Sequence, residues 1–387
     1  MQYNFDEIIP RRETESIKWN HYDQEILPFW VADMDFRSPQ PVIDALEKRI
    51  KHGVFGYPSE DKKLKEVIRE RLGKLYQWNV SVEEIIFLPG VVNGFNLVIH
   101  ALTRPGQQVL MQPPVYHPFL YAPQNAQAAR KESPLMIDSQ HRYQIDFEHF
   151  ENSIDSNSGV FLLCNPHNPV GRVFTKNELV KMAEICLEKN IYICSDEIHA
   201  DIIFPGHSHI PIASLSPEIA MNTVTLMAPS KTYNIAGLGC SFAVVQNPEL
   251  LKELKEARQG LVPEVNLLGY TAALAAYQQG EEWLSQLLQY LEGNWNTLVR
   301  FVGENLSDIK LTPLEGTYLA WLDCRGLKID KSPYEFFLED ARVAFNDGKI
   351  FGPGGEGFVR LNFGCPRSML LEGLERMKLA IAKVNSE

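Results

Sequence analysis

Short apolar runs alternate with longer amphipathic stretches over residues 41–280. The runs at 160–164, 191–194 and 223–227 are rich in β-branched and other apolar residues, as expected of buried strands. The stretches between such runs carry apolar residues at helical spacing. This alternation is typical of successive βα units, and it predicts an α/β fold with a mostly parallel central sheet.

One predicted helix has a clear start. Thr175 and Glu178 have the spacing of a capping box, in which each side chain bonds to the backbone N–H of the other residue. Apolar residues from Leu179 to Cys186 then fall on one face of the helix. This helix would connect the strand that ends at Cys164 to the next parallel strand.

The pattern changes after the βα units. From Trp283 onward the sequence predicts long amphipathic helices, then strands at 316–323 and 357–363, and a closing helix from about Arg367. Helices combined with a few short strands indicate a second, smaller α+β domain.

Polar side chains follow three of the predicted strands. Asn168, Asp196 and Lys231 each lie just beyond an apolar run. In an open parallel sheet, ligands bind in the crevice outside the carboxyl ends of the strands, so we expect these side chains to meet there. A lysine for imine formation, an acid for a ring nitrogen and an amide for a phenolic oxygen suit pyridoxal 5′-phosphate.

Composition and charge narrow the partners. Hydrophobic residues make up 45% and charged residues 22% of the 387 residues, which is ordinary for a globular protein. The net charge is 37 − 49 = −12, and no basic block offsets it. This balance argues against nucleic acid or an anionic membrane as the main partner.

The cysteines and the first residues of the chain indicate a cellular compartment, and the apolar stretches bear on membrane insertion. The six cysteines are scattered without metal-like pairs, so we expect buried thiols in a reducing compartment and no metal site. The first residues show no secretory signal, and we expect a cytoplasmic protein. The apolar stretch 85–103 is broken by Pro89 and Gly90, which predicts a loop leading into a helix and excludes a membrane span.

Several motifs together point to a known family. They are Phe29-Trp-Val-Ala-Asp-Met-Asp-Phe36, Phe55-Gly-Tyr-Pro58, Asn165-Pro-His-Asn-Pro-Val-Gly-Arg172, Ser195-Asp-Glu-Ile-His199, Ser230-Lys-Thr-Tyr-Asn-Ile-Ala-Gly237 and Val359-Arg-Leu-Asn-Phe363. With these motifs the chain resembles the fold-type I pyridoxal-phosphate enzymes of the class I/II aminotransferase superfamily. Within that superfamily it resembles the cystathionine β-lyases and cysteine-S-conjugate β-lyases.

The resemblance implies a domain arrangement and roles for the strand-end residues. The change of pattern described above divides the chain into a large domain at 41–282, which would bind the cofactor, and a small domain at 283–387; the resemblance implies that the amino-terminal segment, 1–40, packs with the small domain. Lys231 would carry the cofactor and later act as base at the substrate Cα. Asp196 would face the pyridine nitrogen. Asn168 would bind the phenolic oxygen, with a cis bond to the proline that follows it.

The resemblance also assigns the rest of the cofactor site. Val92 and Asn93, in the glycine-bounded segment 90–94 before an apolar helix, would bind the phosphate, since free N–H groups at a helix start attract anions. Ser230 would contribute its hydroxyl, and Tyr57 would reach the same phosphate from the neighbouring subunit of a homodimer. Tyr116 would stack on the pyridine ring, although plain core packing also explains a tyrosine there.

The substrate anchor is expected on the last apolar strand. Arg360 lies between Val359 and Leu361, where an unpaired guanidinium would be costly. Its two-pronged hydrogen bonding suits an α-carboxylate, and a structural salt bridge is the alternative. Ala32 and Asp33 are expected to approach the same carboxylate through their backbone.

Two positions depart from the usual aminotransferase pattern. That pattern has an arginine eight residues after the lysine, where this chain has Gly239, and often a tyrosine three residues after the aspartate, where this chain has His199. Both departures resemble the C–S lyase branch. They leave Ser230, Tyr57 and the helix start with more of the phosphate binding.

The resemblance therefore implies an enzyme that eliminates the β-substituent from cystathionine or another S-substituted cysteine, with pyruvate, ammonia and a thiol as products. An aminotransferase is the alternative, because the two reactions share their first steps. A non-catalytic, cofactor-binding regulatory protein ranks last, because Lys231, Asp196 and Arg360 are all present and no basic helix-turn-helix segment is attached.

Overall fold

The computed structural model describes residues 2–386. The helices of this part are α1 (Ile17–Asn20), α2 (Gln40–His52), α3 (Lys62–Tyr76), α4 (Val91–Leu102), α5 (His117–Asn125), α6 (Phe147–Asn152), α7 (Lys176–Glu188), α8 (Pro217–Met221), α9 (Pro229–Thr232), α10 (Pro248–Arg258), α11 (Leu267–Gln279), α12 (Glu281–Asn305), α13 (Pro333–Glu339) and α14 (Arg367–Ser386). The strands are β1 (Leu27–Pro28), β2 (Ile85–Leu88), β3 (Gln108–Met111), β4 (Ala129–Glu132), β5 (Met136–Ile137), β6 (Tyr143–Gln144), β7 (Ser158–Cys164), β8 (Tyr192–Asp196), β9 (Thr223–Met227), β10 (Ser241–Val245), β11 (Lys310–Leu311), β12 (Leu319–Asp323), β13 (Val343–Ala344), β14 (Asn346–Asp347) and β15 (Phe358–Asn362).

The main sheet has seven strands in the order β2-β10-β9-β8-β7-β3-β4. Strand β10 runs antiparallel to both of its neighbours, and the other neighbouring pairs are parallel. The prediction of an α/β fold with a mostly parallel central sheet is confirmed. In the register of the sheet, Cys164 of β7 pairs with Asp196 of β8, and Asp196 pairs with Leu226 of β9. The carboxyl ends of these three strands therefore lie side by side.

Helix α7 shows why the crossover between β7 and β8 forms where it does. The Thr175 hydroxyl accepts the Glu178 N–H at 3.3 Å, and a Glu178 carboxylate oxygen accepts the Thr175 N–H at 2.8 Å. The predicted capping box is present, and it satisfies two N–H groups that a helix start would otherwise leave free. Leu179 and Cys186 are fully buried against the sheet, as their spacing predicted.

The apolar stretch 85–103 differs in part from its prediction. It holds strand β2 as well as helix α4, with Pro89 and Gly90 between them. Strand β2 was not predicted because its residues are all apolar, and in such a run the periodicity of a strand cannot be distinguished from that of a helix. In the described part of the chain, the helices all fall short of the length and apolar character that crossing a membrane requires.

A second sheet is antiparallel, with the order β11-β12-β15-β14. One apolar core joins Phe5 and Phe29 of the amino-terminal segment to side chains of α12 and α14, among them Leu291 and Leu374. Contacts of this kind support the expected packing of the first 40 residues with the carboxyl-terminal part. We retain 41–282 and 283–387 as the proposed division into domains.

Candidate active site

The carboxyl ends of β7, β8 and β9 open onto a cavity of about 290 Å³, here called the sheet-end cavity. Most of the residues expected at the cofactor line it. They are Ala32, Val92, Asn93, Tyr116, Asn168, Asp196, His199, Ser230 and Lys231. Their positions agree with the sequence prediction, and their roles remain predictions.

Lys231 lies in the short helix α9, directly after β9. Its Nζ donates a hydrogen bond of 2.8 Å to the carbonyl oxygen of Ala32. Desolvation of the amine lowers the pKa of Lys231 to about 8, although the nearby Asp33 carboxylate opposes this shift. An amine with that pKa is neutral in roughly a tenth of molecules at pH 7, far more than an ordinary lysine, and the neutral form is the nucleophile and base.

Asp196 ends β8 and is 4% exposed. One carboxylate oxygen accepts the backbone N–H of Ile198 at 3.1 Å, and the ion pairs within residues 2–386 do not include this side chain. Burial raises the pKa of Asp196 to about 7. A cationic ring nitrogen placed against it would favour the carboxylate and offset the cost of its burial.

Arg360 and Asn168 are joined directly. Nη1 of Arg360 donates to the Asn168 side-chain oxygen at 3.0 Å, so the amide NH₂ of Asn168 is left as the donor for a ligand. The peptide bond from Asn168 to Pro169 is cis, as the resemblance implied.

The guanidinium of Arg360 is held mainly by neutral oxygens. Its Nη2 donates to the Trp30 carbonyl at 2.9 Å and to the Asn346 side-chain oxygen at 2.6 Å. Arg360 forms no ion pair with a carboxylate of residues 2–386, so the alternative of a structural salt bridge is not realised there. Burial lowers the pKa of Arg360 to about 10 and leaves its Nε without a partner. A buried cation without a counter-charge is suited to an anionic ligand.

The part of the sheet-end cavity where we expect the cofactor phosphate is formed by the start of α4. The sequence analysis placed Val92 and Asn93 in a turn before this helix, but they lie in its first turn, because the helix begins at Val91. Gly90 is the N-cap and supplies no side-chain hydrogen bond. The first N–H groups and the positive end of the helix dipole therefore remain for an anion, beside Ser230 in the same cavity.

Two aromatic side chains border the cavity. Tyr116 is half-buried and also packs against the apolar core of the main sheet, so a stacking role and a packing role both fit its position. His199 is buried, and its Nδ1 has no partner in the described structure. Burial, together with the charges of Lys231 and Arg360, lowers the pKa of His199 to about 3 and keeps the imidazole neutral.

Gly239, at the position where the aminotransferase pattern has arginine, also lines the sheet-end cavity. Its φ is +58°, in the left-handed region that favours glycine. A Cβ atom added there would lie 3.1 Å from the Pro89 carbonyl oxygen. The local backbone therefore disfavours any side chain at this position.

Tyr57 is the predicted residue that the single chain does not bring to the site. Its side chain is fully exposed in the irregular segment between α2 and α3, beside the exposed Val54 and Phe55. It lines a surface cavity with Arg49 and Tyr270, apart from Lys231. Within one chain, Tyr57 and Lys231 therefore line different cavities.

Three residues that sequence reasoning missed hold the segment 31–36 against Lys231. Tyr318 donates its hydroxyl to the Ala32 carbonyl at 2.8 Å. The Asn362 amide donates to the carbonyls on either side of Ala32, both at 2.6 Å, and the Asn234 amide bonds to Met34. Asn362 and Asn234 lie inside two of the quoted motifs, but a sequence does not show which distant backbone an amide will bind.

Comparison with known proteins agrees with this geometry. Residues 24–377 match the family model "Aminotransferase class I and II". The chain belongs to this family. Cystathionine beta-lyase PatB of Bacillus subtilis (strain 168) is 40% identical over 98% of this chain and 100% of its own length. The resemblance to fold-type I enzymes of the C–S lyase branch is thereby confirmed.

Solved structures give the same result. Cystalysin from Treponema denticola, which contains a pyridoxal 5′-phosphate cofactor, superimposes with a TM-score of 0.96 and is 36% identical, covering 99% of this chain and 100% of its own. A PLP-bound putative aminotransferase from Clostridium difficile 630 has a TM-score of 0.96 and 40% identity, covering 98% and 100%. The proteins similar to this chain therefore include one named as a lyase and one named as an aminotransferase.

Proposed function

We propose that this chain is a pyridoxal-phosphate-dependent C–S β-lyase. It converts an S-substituted L-cysteine, of which cystathionine is one example, and one water into a thiol, pyruvate and ammonium. The Cα–H and Cβ–S bonds break, the bonding electrons of the latter leave with sulfur, and the thiolate then takes up a proton. The relatives named cystathionine β-lyase and C–S lyase support this reaction.

The observation that carries the proposal is the set of groups around Lys231. A lysine with a pKa of about 8, a buried carboxylate without a cation, an amide donor and a helix start share one cavity. These groups match the aldehyde, ring nitrogen, phenolic oxygen and phosphate of pyridoxal phosphate. The residues present therefore fit the cofactor.

When bound, pyridoxal phosphate supplies an electron sink that stabilises negative charge at the substrate Cα. Lys231 would be joined to it at rest and would take the Cα proton on Nζ once the substrate amine has replaced it. Asp196 would keep the ring nitrogen protonated. Arg360 would hold the substrate carboxylate beside the Ala32 backbone.

When Lys231 is not joined to the cofactor, the amino-terminal segment fixes the position of its amine. The Ala32 carbonyl accepts one N–H of the amine, while Asn362 and Tyr318 keep that carbonyl in position. An amine anchored through one N–H keeps its lone pair for the Cα proton. Such an arrangement reduces the entropy lost on reaching the transition state.

An aminotransferase remains the second candidate, because the matched family and one solved neighbour carry that name. Gly239 and the neutral His199 favour the lyase. The left-handed backbone at Gly239 disfavours the arginine that the aminotransferase pattern has there, and His199, kept neutral by burial, stands where that pattern often has a tyrosine. A regulatory role without catalysis ranks last, because Lys231 and Asp196 both line the sheet-end cavity.

We propose further that the enzyme is a homodimer in which Tyr57 reaches the phosphate of the neighbouring subunit. The exposed apolar side chains Val54, Phe55 and Tyr57, together with Ile50, support an interface at this segment. The cytoplasm is the proposed location, supported by six buried, unpaired cysteines in the described part of the chain.

The deciding experiment is thiol release by purified holoenzyme from an S-alkyl L-cysteine, without an added 2-oxo acid. A lyase yields thiol, pyruvate and ammonia in equal amounts. Lys231→Ala is the negative control. If thiol release is absent while an amino acid exchanges steadily with 2-oxoglutarate, the lyase assignment is wrong and the aminotransferase replaces it.

A further inference from the structure

Asp201 lies in the turn that follows β8, and its carboxylate binds two distant parts of the chain. The Thr232 hydroxyl donates to its Oδ2 at 2.9 Å. Nη2 of Arg71 donates to its Oδ1 at 2.6 Å. One carboxylate therefore joins the turn after β8 to helix α9 and to helix α3.

Both segments joined by the bond between Thr232 and Asp201 also carry residues of the sheet-end cavity. Asp196 and His199 precede Asp201 in its own segment, and Lys231 directly precedes Thr232. Asp201 and Thr232 themselves lie outside the lining of that cavity. Their bond therefore connects the two segments without contacting a ligand in the cavity.

The hydroxyl of Thr232 differs in its partner from the other threonines in or near helices. A helical threonine commonly donates to the carbonyl four residues earlier, within its own helix. The threonines that do so here are Thr103, Thr223, Thr271 and Thr297. Thr232 instead donates to a carboxylate 31 residues away in sequence. An ionised acceptor makes a stronger bond than a carbonyl, so this contact can fix the helix that donates it.

Helix α9 needs such support, because it has only four residues. A helix of that length is not stabilised by its own backbone bonds and takes its position from tertiary contacts. The amide of Asn234, just beyond the helix, bonds to the backbone of the segment 31–36. Thr232 bonds to Asp201. Lys231 therefore lies in a short segment that two side-chain contacts hold in place.

Arg71 keeps the Asp201 carboxylate oriented and compensates its charge. The Asp201 side chain is only 12% exposed, and a carboxylate so far removed from water requires a partner. The Arg71 guanidinium also lies over the ring of Tyr277, 5.2 Å from its centroid. The acceptor for Thr232 is thus held from α3 and from α11, the helix that contains Tyr277.

The contribution of Asp201 to the lysine is geometric. The charges that shift the pKa of Lys231 are those of Asp33, Arg360 and Asp196, in addition to burial. Asp201 is paired with a cation and is not among them. Loss of its bond to the lysine-bearing helix should therefore displace the amine without changing its basicity.

We propose that Asp201 is a positioning residue. Through Thr232 it fixes the helix that carries Lys231, and so the point from which the amine reaches the cofactor and the substrate Cα. This inference rests on the role of Lys231 in the proposed function. It applies equally to a lyase and to an aminotransferase, because both use the same lysine.

Thr232→Val tests the bond directly, since valine has nearly the volume of threonine but no hydroxyl. Stopped-flow absorbance follows the uptake of excess pyridoxal phosphate by the cofactor-free full chain. Above pH 8, where most of the amine is neutral, the substitution should slow uptake about tenfold, because a misplaced reacting group loses rate. The midpoint of the pH dependence should stay near 8.

Circular dichroism of the cofactor absorption band gives a second measurement on the holoenzyme. The signal depends on the orientation of the bound ring, so Thr232→Val should change its intensity. Thr232→Ser keeps the hydroxyl and should restore both the uptake rate and the dichroism. Thr225→Val is the control: Thr225 is fully buried in β9, and its hydroxyl has no partner in residues 2–386. That variant should match the unmodified protein in both measurements.

A double variant shows whether Asp201 and Thr232 act through their mutual bond. Asp201→Asn should also slow uptake, and adding Thr232→Val to it should cause little further loss. Factors that multiply would show independent effects and overturn the inference. The Thr232 variants alone still decide the question if Asp201→Asn does not fold.

The remaining outcomes separate this inference from the function on which it rests. An unchanged uptake rate and unchanged dichroism in Thr232→Val, even with a lower melting temperature, would show a purely structural bond and overturn the inference alone. Failure of the unmodified chain to take up pyridoxal phosphate would overturn the inference and the proposed function together.

Discussion

Lys231 Nζ and the Ala32 carbonyl oxygen are joined by a hydrogen bond of 2.8 Å across 199 residues of sequence. The same oxygen accepts the Tyr318 hydroxyl at 2.8 Å. The group expected to carry the cofactor is thus positioned by backbone from the amino-terminal segment as well as by its own strand. Both residues, Lys231 and Ala32, line the sheet-end cavity.

Lys231→Ala should abolish covalent retention of the cofactor, because Lys231 is the lysine with the lowered pKa in the sheet-end cavity. Borohydride treatment followed by peptide mapping should place the cofactor on the peptide containing residue 231. Lys252→Ala, at a side chain that is 76% exposed, is the control and should retain the label. Label retained by Lys231→Ala would identify another lysine as the carrier.

Cofactor capture by the cofactor-free protein should depend on pH through the same amine. Burial lowers the pKa of Lys231 to about 8, and only the neutral amine attacks an aldehyde. The rate of holoenzyme formation should therefore rise as pH increases from 6 to 8 and level off above 8. Stopped-flow absorbance with excess pyridoxal phosphate measures this rate. A rate that keeps rising to pH 10 would show an ordinary, unshifted lysine.

Asp196→Asn should stabilise the cofactor-free protein while impairing catalysis. Burial raises the pKa of Asp196 to about 7 from an ordinary value of 3.8, so the folded state binds more protons than the unfolded state between these two pH values. Stability is then lost as pH rises through this window and stays lost above it. Asparagine cannot ionise and avoids that loss.

Urea denaturation of the cofactor-free protein tests the Asp196→Asn prediction. The substitution should raise the free energy of unfolding by a few kcal/mol at pH 8 and by much less at pH 4. The corresponding holoenzyme should lose most of its kcat. An equal effect at both pH values would show that the carboxylate is not titrating.

Arg360→Gln should raise KM for the amino-acid substrate about tenfold to hundredfold, since hydrogen bonds to a charged group contribute roughly 1.5–3 kcal/mol. Steady-state kinetics with the preferred S-substituted cysteine measures this effect. The matched control is an analogue without the α-carboxylate, for which the substitution should change KM little. A similar increase for both ligands would indicate that Arg360 acts only through Asn168.

Gly239→Ala should destabilise the protein by about 1–2 kcal/mol, because its φ of +58° disfavours a Cβ and the Pro89 carbonyl would lie 3.1 Å away. Gly237→Ala is the control, because its added Cβ meets nothing within 4 Å. Thermal unfolding of both variants gives the comparison. Equal stabilities would contradict the backbone argument for the missing arginine.

Shared sites in a homodimer can be tested by complementation. A Tyr57→Phe chain keeps Lys231, and a Lys231→Ala chain keeps Tyr57. Mixed dimers should therefore contain one intact site, with activity above that of either parent. Analytical ultracentrifugation gives the oligomeric state, and a fully active monomer would contradict the proposal.

The sequence predicted the parts of the site that depend on local order. Asn168, Asp196 and Lys231 each follow a buried strand, and parallel strands bring their carboxyl ends together, so their meeting could be inferred before any coordinates. The capping box at Thr175 is equally local. Strand β2 was missed because uninterrupted apolar residues do not reveal their period.

Contacts between distant segments could not be predicted in this way. The bonds from Tyr318 to Ala32 and from Arg360 to Asn168 depend on how the carboxyl-terminal strands pack against the rest of the chain. The ion pair between Arg11 and Asp33 has the same origin, since these residues become neighbours only through the course of an irregular segment. No periodic pattern in the sequence predicts the course of an irregular segment.

The clamp on residues 31–36 has a consequence for synthesis. Asn362, whose amide holds the carbonyls of Val31 and Asp33, leaves the ribosome 329 residues after Asp33. Chains fold from their amino terminus as they emerge. During almost all of translation, the wall beside Lys231 therefore lacks its support, and a finished site for the cofactor arises only when nearly the whole chain has been made.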